Sequence, residues 1–205
     1  MTNAPVHLID DDEAVRRAVT FLLVSMGFMV EAYESALAFL AKLPASPDGC
    51  VLTDIRMPGM SGLELQRALN NRRVFMPVIV MTGHGDVPLA VQAMKEGAVD
   101  FIEKPFSDET LLAAVREALA RQAHESAQRA SHKEFQTRLD RLTPRERQVM
   151  DGLVNGLPNK SIAYDLAISA RTVEIYRANL MTKMQANSLP DLVRMVLLAA
   201  SSAER

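Results

Sequence analysis

A parallel α/β sheet domain followed by a small all-helical unit is the fold class this sequence predicts. Two observations carry it. Between residues 1 and 120, five short apolar runs alternate with stretches of helical periodicity, the pattern of a five-stranded parallel sheet with helices on both faces. From residue 141 to 205 the pattern changes to four successive amphipathic helices with no strand-like run. Residues 121–140 lie between them and are polar, with neither glycine nor proline.

The elements follow in order. Val6-His7-Leu8-Ile9 is an apolar run that ends in Asp10-Asp11-Asp12. Val15, Val19, Leu22, Leu23 and Met26 recur at helical spacing until Gly27. Phe28 to Tyr33 reads as a second strand, and Ser35 as the cap of a short helix carrying Leu37, Phe39 and Leu40. Cys50 to Thr53 is the third strand, running into Asp54, and the chain then turns through Pro58-Gly59. Ser61 opens a helix through Leu63, Leu65 and Leu69. Val78 to Met81 is the fourth strand, ending in Thr82-Gly83, and Pro88 starts a helix through Val91 and Met94 that Gly97 stops. Val99 to Ile102 is the fifth strand, ending in Glu103-Lys104-Pro105. Ser107-Asp108 caps the fifth helix.

Right-handed crossovers bring all the strand ends to one edge, the edge where open α/β sheets place their chemistry. Asp10, Asp11, Asp54, Thr82 and Lys104 therefore meet, although they are far apart in sequence. Carboxylates so grouped repel one another and call for a cation, and a hard oxygen set suits Mg²⁺. A lysine and a hydroxyl opposite them fit an aspartate that accepts a phosphoryl group as an acyl phosphate. The bland alternative is a solvated acidic rim with a surface ion pair.

Composition excludes other classes. Hydrophobic residues are 48% and charged residues 23%, an ordinary globular balance. No apolar run spans a bilayer, and no basic-then-apolar leader opens the chain. The one cysteine, Cys50, sits in an apolar run and reads as core, which with the rest points to a cytoplasmic protein. The net charge of −2 hides an asymmetry: residues 1–120 are acidic by six and residues 141–205 basic by three. Only the second unit suits a polyanion.

The stretch from Arg121 to Arg138 is built of good helix formers, so the fifth helix is expected to run on into a largely helical linker over 121–140. Its His124 and His132 read as solvated. Thr143-Pro144-Arg145-Glu146 is a capping box with proline at the first helical position. Val149, Met150, Leu153 and Val154 follow as an apolar face closed by Gly156. Asn159 is expected to cap a short helix with Ile162, Ala163 and Leu166, and Ala167-Ile168 to form a tight turn. Ser169 then caps a longer helix with Val173, Tyr176, Leu180 and Met184 inward. A last helix carries Leu192, Val196 and Leu197.

Two short helices around a tight turn read as helix-turn-helix. Arg171, Thr172, Glu174, Arg177, Ala178 and Lys183 lie off the apolar stripe of the second helix. Residues near its start would reach base edges in a major groove, with Lys160 and Lys183 placed for phosphates. A small protein-binding bundle is the alternative for this unit.

These motifs resemble known families. Asp10-Asp11, Asp54 in Asp-Ile-Arg-Met-Pro-Gly, Thr82-Gly83 and Lys104-Pro105 resemble the CheY-like receiver domain of two-component systems. Leu142 to Glu146, Asn159 to Ala163 and Ser169 to Glu174 resemble the DNA-binding domain of LuxR- and NarL-type regulators. The resemblance implies that Asp54 is the phosphoacceptor. Asp11, Asp54 and the Arg56 carbonyl would ligate Mg²⁺, Asp10 acting mainly through outer contacts. It further implies a cis Lys104–Pro105 bond, and an aromatic switch at Phe101, where the family often has tyrosine or histidine. By residues alone Phe101 reads as plain core. Arg56 and His84 match positions that tune phosphate lifetime, and Ala167 stands where the family's turn usually has glycine.

The function implied is a phosphorylation-switched transcription activator of the branch that serves nitrogen-fixation genes under low oxygen. Its expected partners are a FixL-like haem sensor histidine kinase, promoter DNA, RNA polymerase and, once phosphorylated, a second copy. The pairing face is expected to include Val91 and Lys95, with Val91 alternatively core. Beyond self-phosphorylation and self-dephosphorylation no enzyme activity is expected. The rival from another class is a magnesium phosphatase using Asp10 and Asp12 as its Asp-x-Asp pair, although Ala14 stands where that family has threonine or valine.

Overall fold

The computed structural model describes residues 4–44, 46–83 and 87–203. The chain divides into two compact units, Met1–Glu125 and Ser126–Arg205.

In the first unit, β1 (Val6–Ile9), β2 (Val30–Tyr33), β3 (Cys50–Asp54), β4 (Val78–Thr82) and β5 (Asp100–Glu103) form a parallel sheet in the order β2-β1-β3-β4-β5. Register is continuous: Ile9 pairs with Thr53, Asp54 with Met81, and Thr82 with Glu103. The helices are α1 (Glu13–Ser25), α2 (Ala36–Lys42), α3 (Gly62–Asn71), α4 (Val87–Lys95) and α5 (Asp108–Leu139). Two cores result, because a parallel sheet must be covered on both faces. One joins Leu8, Leu52, Ile79, Met81 and Ile102 to the inner faces of α1 and of the first turns of α5. The other joins Ile9, Val51 and Val80 to α2 and α3.

Three strands, β3, β4 and β5, run one residue further than the apolar pattern predicts. Asp54 and Thr82 are the last residues of β3 and β4 rather than loop residues. The ladder holds their backbones, and the chemistry stands on rigid strand ends. β2 starts later than predicted, at Val30, while Phe28 packs against the core from outside the strand. Met26 caps α1 and is exposed, as are Leu37 and Met94, so these three apolar residues are not core. Cys50 is buried, and burial pushes its thiol up to about 12, so it stays protonated and inert.

The second unit contains α6 (Pro144–Val154), α7 (Asn159–Asp165), α8 (Ala170–Met184) and α9 (Leu189–Ala203). Val149, Leu153, Ile162, Val173, Leu180, Met184 and Leu192 form its core, and Phe135 and Leu139 from the end of α5 pack against it. Gly152 allows the close approach of α6 and α7, since a Cβ there would meet Ile162 Cγ1 at 2.7 Å. The Thr143–Glu146 capping box and the Ser169 cap form as the sequence predicts. Asn159 differs. Pro158 occupies the cap position of α7, with no side-chain cap bond, and Asn159 is the first helical residue. Leu197 also differs, being 60% exposed, because the inner stripe of α9 passes through Leu192 and Val196.

Ala167, in the turn between α7 and α8, has φ +53. A left-handed alanine costs on the order of 1–2 kcal/mol, which glycine does not incur. Ala167→Gly is therefore expected to stabilise the helical unit by about 1 kcal/mol. Slower hydrogen exchange of the α6 and α8 amides in the full-length variant would register it.

Candidate functional site

The carboxyl edge of the sheet gathers the side chains singled out above. Asp10 follows β1 and Asp54 ends β3, and their carboxylates are 1% and 12% exposed. Lys104, just beyond β5, bridges them: its ammonium donates to Asp10 Oδ2 at 2.8 Å and to Asp54 Oδ1 at 2.5 Å. The remaining oxygens are also used. Asp54 Oδ2 accepts from the Arg56 backbone N–H at 2.7 Å, and Asp10 Oδ1 from the Asp12 N–H at 2.9 Å. Lys104 is itself fixed, since its own N–H donates to the Thr82 carbonyl at 2.7 Å. The Lys104–Pro105 peptide is cis.

Electrostatics follow from burial and pairing. Burial pushes the Asp54 carboxyl above the ordinary aspartate value, and the Asp10 charge adds to that. The Lys104 ammonium and the Arg56 N–H pull the other way without cancelling it. For Lys104, burial favours loss of the proton, but the bonds to Asp10 and Asp54 outweigh it and the pKa is raised. Lys104 is thus a fixed cation at neutral pH.

Thr82 is buried, and among the described residues its hydroxyl makes a long 3.4 Å contact with the Gly83 carbonyl. Phe101, on β5, is 40% exposed, which rules out the plain-core reading. Val91 is 45% exposed and Lys95 is exposed, so both are surface residues of α4. Asp11 is exposed. His84 lies outside the described residues. Asp12 has a different job from its neighbours: its carboxylate caps α1, accepting from the Ala14 N–H at 2.7 Å and the Val15 N–H at 3.3 Å. That commitment removes the Asp10/Asp12 phosphatase pair.

Among the described residues, no three His, Cys, Asp or Glu side chains converge as a ready-made metal cage. The fit to a cation lies in the donors themselves. Asp10 and Asp54 present hard oxygen donors that share one ammonium, Lys104, and the neighbouring Asp11 is an exposed carboxylate. Mg²⁺ requires only one or two carboxylates besides water, so this donor set suits it.

Sequence reasoning missed Gly62. A Cβ at this first residue of α3 would lie 2.5 Å from the Asp54 carbonyl oxygen, and its N–H donates to the Ile55 carbonyl at 3.1 Å. Only glycine lets α3 begin directly under the strand end. A glycine directly before an apolar face carries no sequence signal of this role. Gly62→Ala is expected to cost about 1–3 kcal/mol by overpacking, and to shift the Asp54 and Arg56 amide resonances.

In the second unit Lys160, Arg171 and Glu174 are exposed, and Thr172 and Arg177 are half-buried. The Thr172 hydroxyl shares the cap with Ser169 Oγ at 2.8 Å. Lys183, expected at a phosphate, has a partner within the unit. Its ammonium donates to both carboxylate oxygens of Glu146, at 2.9 and 2.7 Å. Glu146 is 3% exposed and its second oxygen also accepts from the Thr143 N–H. The capping-box acid therefore ties α8 to the start of α6. Ile175 is a further exposed residue on α8, at 55%.

Burial would raise the Glu146 pKa, but Lys183 and the Thr143 bonds outweigh it and hold the carboxyl below the ordinary glutamate value. A depressed acid contributes stability above its unfolded pKa and loses it as pH falls through the folded one. The α6 and α8 amides are thus expected to lose exchange protection below about pH 4.5, the ordinary glutamate value. Glu146→Gln flattens that dependence.

Comparison with known proteins agrees with this division. Residues 6–116 match the response regulator receiver domain, and residues 140–196 the bacterial regulatory proteins of the luxR family. The chain belongs to the two-component response regulators with a LuxR-type DNA-binding output. It is a phosphorylation-switched protein that pairs, binds DNA and activates transcription, not a turnover enzyme, and its phosphate comes from a sensor histidine kinase. Magnesium serves phosphorylation in the receiver family.

Within that class its similarities are specific. It is 60% identical to the transcriptional regulatory protein FixJ of Azorhizobium caulinodans, over 95% of this chain and 92% of that one. It is 49% identical to full-length FixJ of B. japonicum, covering 98% and 99% of the two chains with a TM-score of 0.62. To the response regulator StyR it is 40% identical, covering 94% and 98%, with a TM-score of 0.86. Among the described residues no helix is long and apolar enough to cross a membrane.

Proposed function

We propose that Asp54 is the phosphoacceptor and that the Lys104 bridge is the resting state of the switch. The observation that carries this is one buried cation shared by two acids from different strand ends. In the reaction an Asp54 carboxylate oxygen attacks the phosphorus of a phosphohistidine on the kinase. The P–N bond breaks, imidazole leaves, and an acyl phosphate forms. Asp11, Asp54 and the Arg56 carbonyl would hold Mg²⁺, with Asp10 behind them. The ion would neutralise charge on the transferring group. Lys104 keeps its proton throughout and moves from Asp54 Oδ1 to a phosphoryl oxygen.

The Thr82 hydroxyl, weakly held at 3.4 Å, turns toward the phosphoryl group. The space it leaves admits the half-exposed Phe101 ring. A phenyl ring forms no hydrogen bond, so its two positions differ by packing alone. Inward movement changes the α4–β5 face bearing Val91 and Lys95, through which two receivers pair. Pairing brings two copies of α8 to two half-sites. Arg171, Thr172, Glu174 and Arg177 address base edges and adjacent phosphates, and Lys160 addresses phosphate. Lys183 acts by holding Glu146. Similarity to FixJ supports nitrogen-fixation promoters as targets, a FixL-like kinase as donor and RNA polymerase as the final partner. The stretch 121–140 serves as the linker between the receiver and the DNA-binding unit.

Two tests follow. Acetyl phosphate with Mg²⁺ is expected to label and dimerise the wild type. Asp54→Asn should take up no label, and a labelled, dimeric variant would reject the assignment. Arg171→Ala is expected to cost about 1–3 kcal/mol of specific DNA binding and relax specificity at one position. Lys160→Ala should weaken all sequences alike and lower the salt slope by about one, both read by binding titrations at several salt concentrations.

A further inference from the structure

We infer that Arg16 is a positioning residue for the metal-binding loop. It holds the β1–α1 turn in the shape that presents Asp11. The inference rests on the proposed metal site at Asp11 and Asp54.

Asp10 lies just past the last residue of β1. Its N–H still donates to the Tyr33 carbonyl at 3.3 Å, but its carbonyl has left the ladder and needs another donor. Arg16 provides it from the first turns of α1: Nη1 donates to the Asp10 carbonyl at 2.7 Å. The rest of the turn is braced from within. Asp10 Oδ1 accepts from the Asp12 N–H at 2.9 Å, and the Asp12 carboxylate caps α1. Asp10 also receives Lys104. Of the three consecutive acids, Asp10 is buried and bonded to Lys104, and Asp12, although exposed, is committed to the α1 cap, while Asp11 is exposed. Where its carboxylate stands depends on the plane of the Asp10–Asp11 peptide. That peptide carries the carbonyl Arg16 holds.

Arg16 also lines an open depression of about 500 Å³ on α1 with Glu13, Thr20, Phe21 and Val24. Its aliphatic stem covers apolar surface while its head reaches the loop. The next residue, Arg17, has the same charge and lines the same depression, but its guanidinium pairs with Glu13 at 2.5 Å. It is a natural control. By Coulomb's law alone, losing either arginine removes a positive charge near the acidic edge and tightens cation binding. A positioning role predicts the opposite sign for Arg16 only.

The experiment is Mg²⁺ titration of the full-length chain without phosphoryl donor, followed by calorimetry and by the Asp11 and Asp12 amide resonances. Arg16→Met is expected to weaken Mg²⁺ binding roughly tenfold, as loss of an outer-shell support does, and to shift both resonances in the metal-free protein. Arg16→Lys should recover part of the affinity, and Arg17→Met should leave it unchanged or slightly tighter. Asp11→Asn calibrates the site. If Asp11→Asn abolishes binding while Arg16→Met matches wild type or Arg17→Met, the positioning role is overturned and the metal site stands. If Asp11→Asn binds Mg²⁺ as wild type does, the metal site itself is wrong and the inference falls with it.

Discussion

One ammonium group between two buried carboxylates holds the first unit's chemistry together. Lys104 Nζ joins Asp10, beyond β1, to Asp54, at the end of β3, and its own backbone is tied to Thr82 at the end of β4. The arrangement leaves excess negative charge and a carboxyl that burial makes reluctant to ionise. The excess charge favours a divalent cation, which would in turn favour the ionised, nucleophilic form of Asp54. A buried ion pair of this kind is weak evidence for stability, because desolvation offsets most of its attraction. Its value here is positional: it places four strand ends in one small volume, with a weakly held hydroxyl alongside.

The helical unit rests on a similar device turned to a different end. Glu146 serves the α6 cap and the Lys183 ammonium together, so the start of α6 and the last turn of α8 are fixed to one another. The cap of α8 itself, Ser169 with Thr172, closes the turn that Ala167 enters at positive φ. These constraints orient α8 before any nucleic acid arrives, so little ordering entropy remains to be lost on binding.

Much of this was legible in the sequence, for identifiable reasons. Strand–helix alternation specifies a parallel sheet, and a parallel sheet collects its strand ends, so Asp10, Asp54, Thr82 and Lys104 could be brought together without coordinates. Capping chemistry is local, and the caps at Ser61, Thr143 and Ser169 could be read directly. What could not be read depends on contacts remote in sequence. Nothing near Lys183 announces Glu146, nothing near Gly62 announces the Asp54 carbonyl, and nothing near Asp10 announces Arg16 as its carbonyl's donor. Exposure failed where helical periodicity was ambiguous: Leu197 and Met26 fit an apolar stripe by spacing but lie past its edge. Asn159 looked like a cap because its chemistry suits one, yet Pro158 takes that place.

The most direct measurement is a ¹³C NMR titration of the Asp54 carboxyl in metal-free protein, wild type against Lys104→Met. With the bridging cation removed, burial and the Asp10 charge act unopposed except by the Arg56 N–H. The Asp54 pKa is then predicted to rise above its wild-type value. An unchanged or lower pKa would mean that Lys104 does not hold the two acids, and would contradict the account.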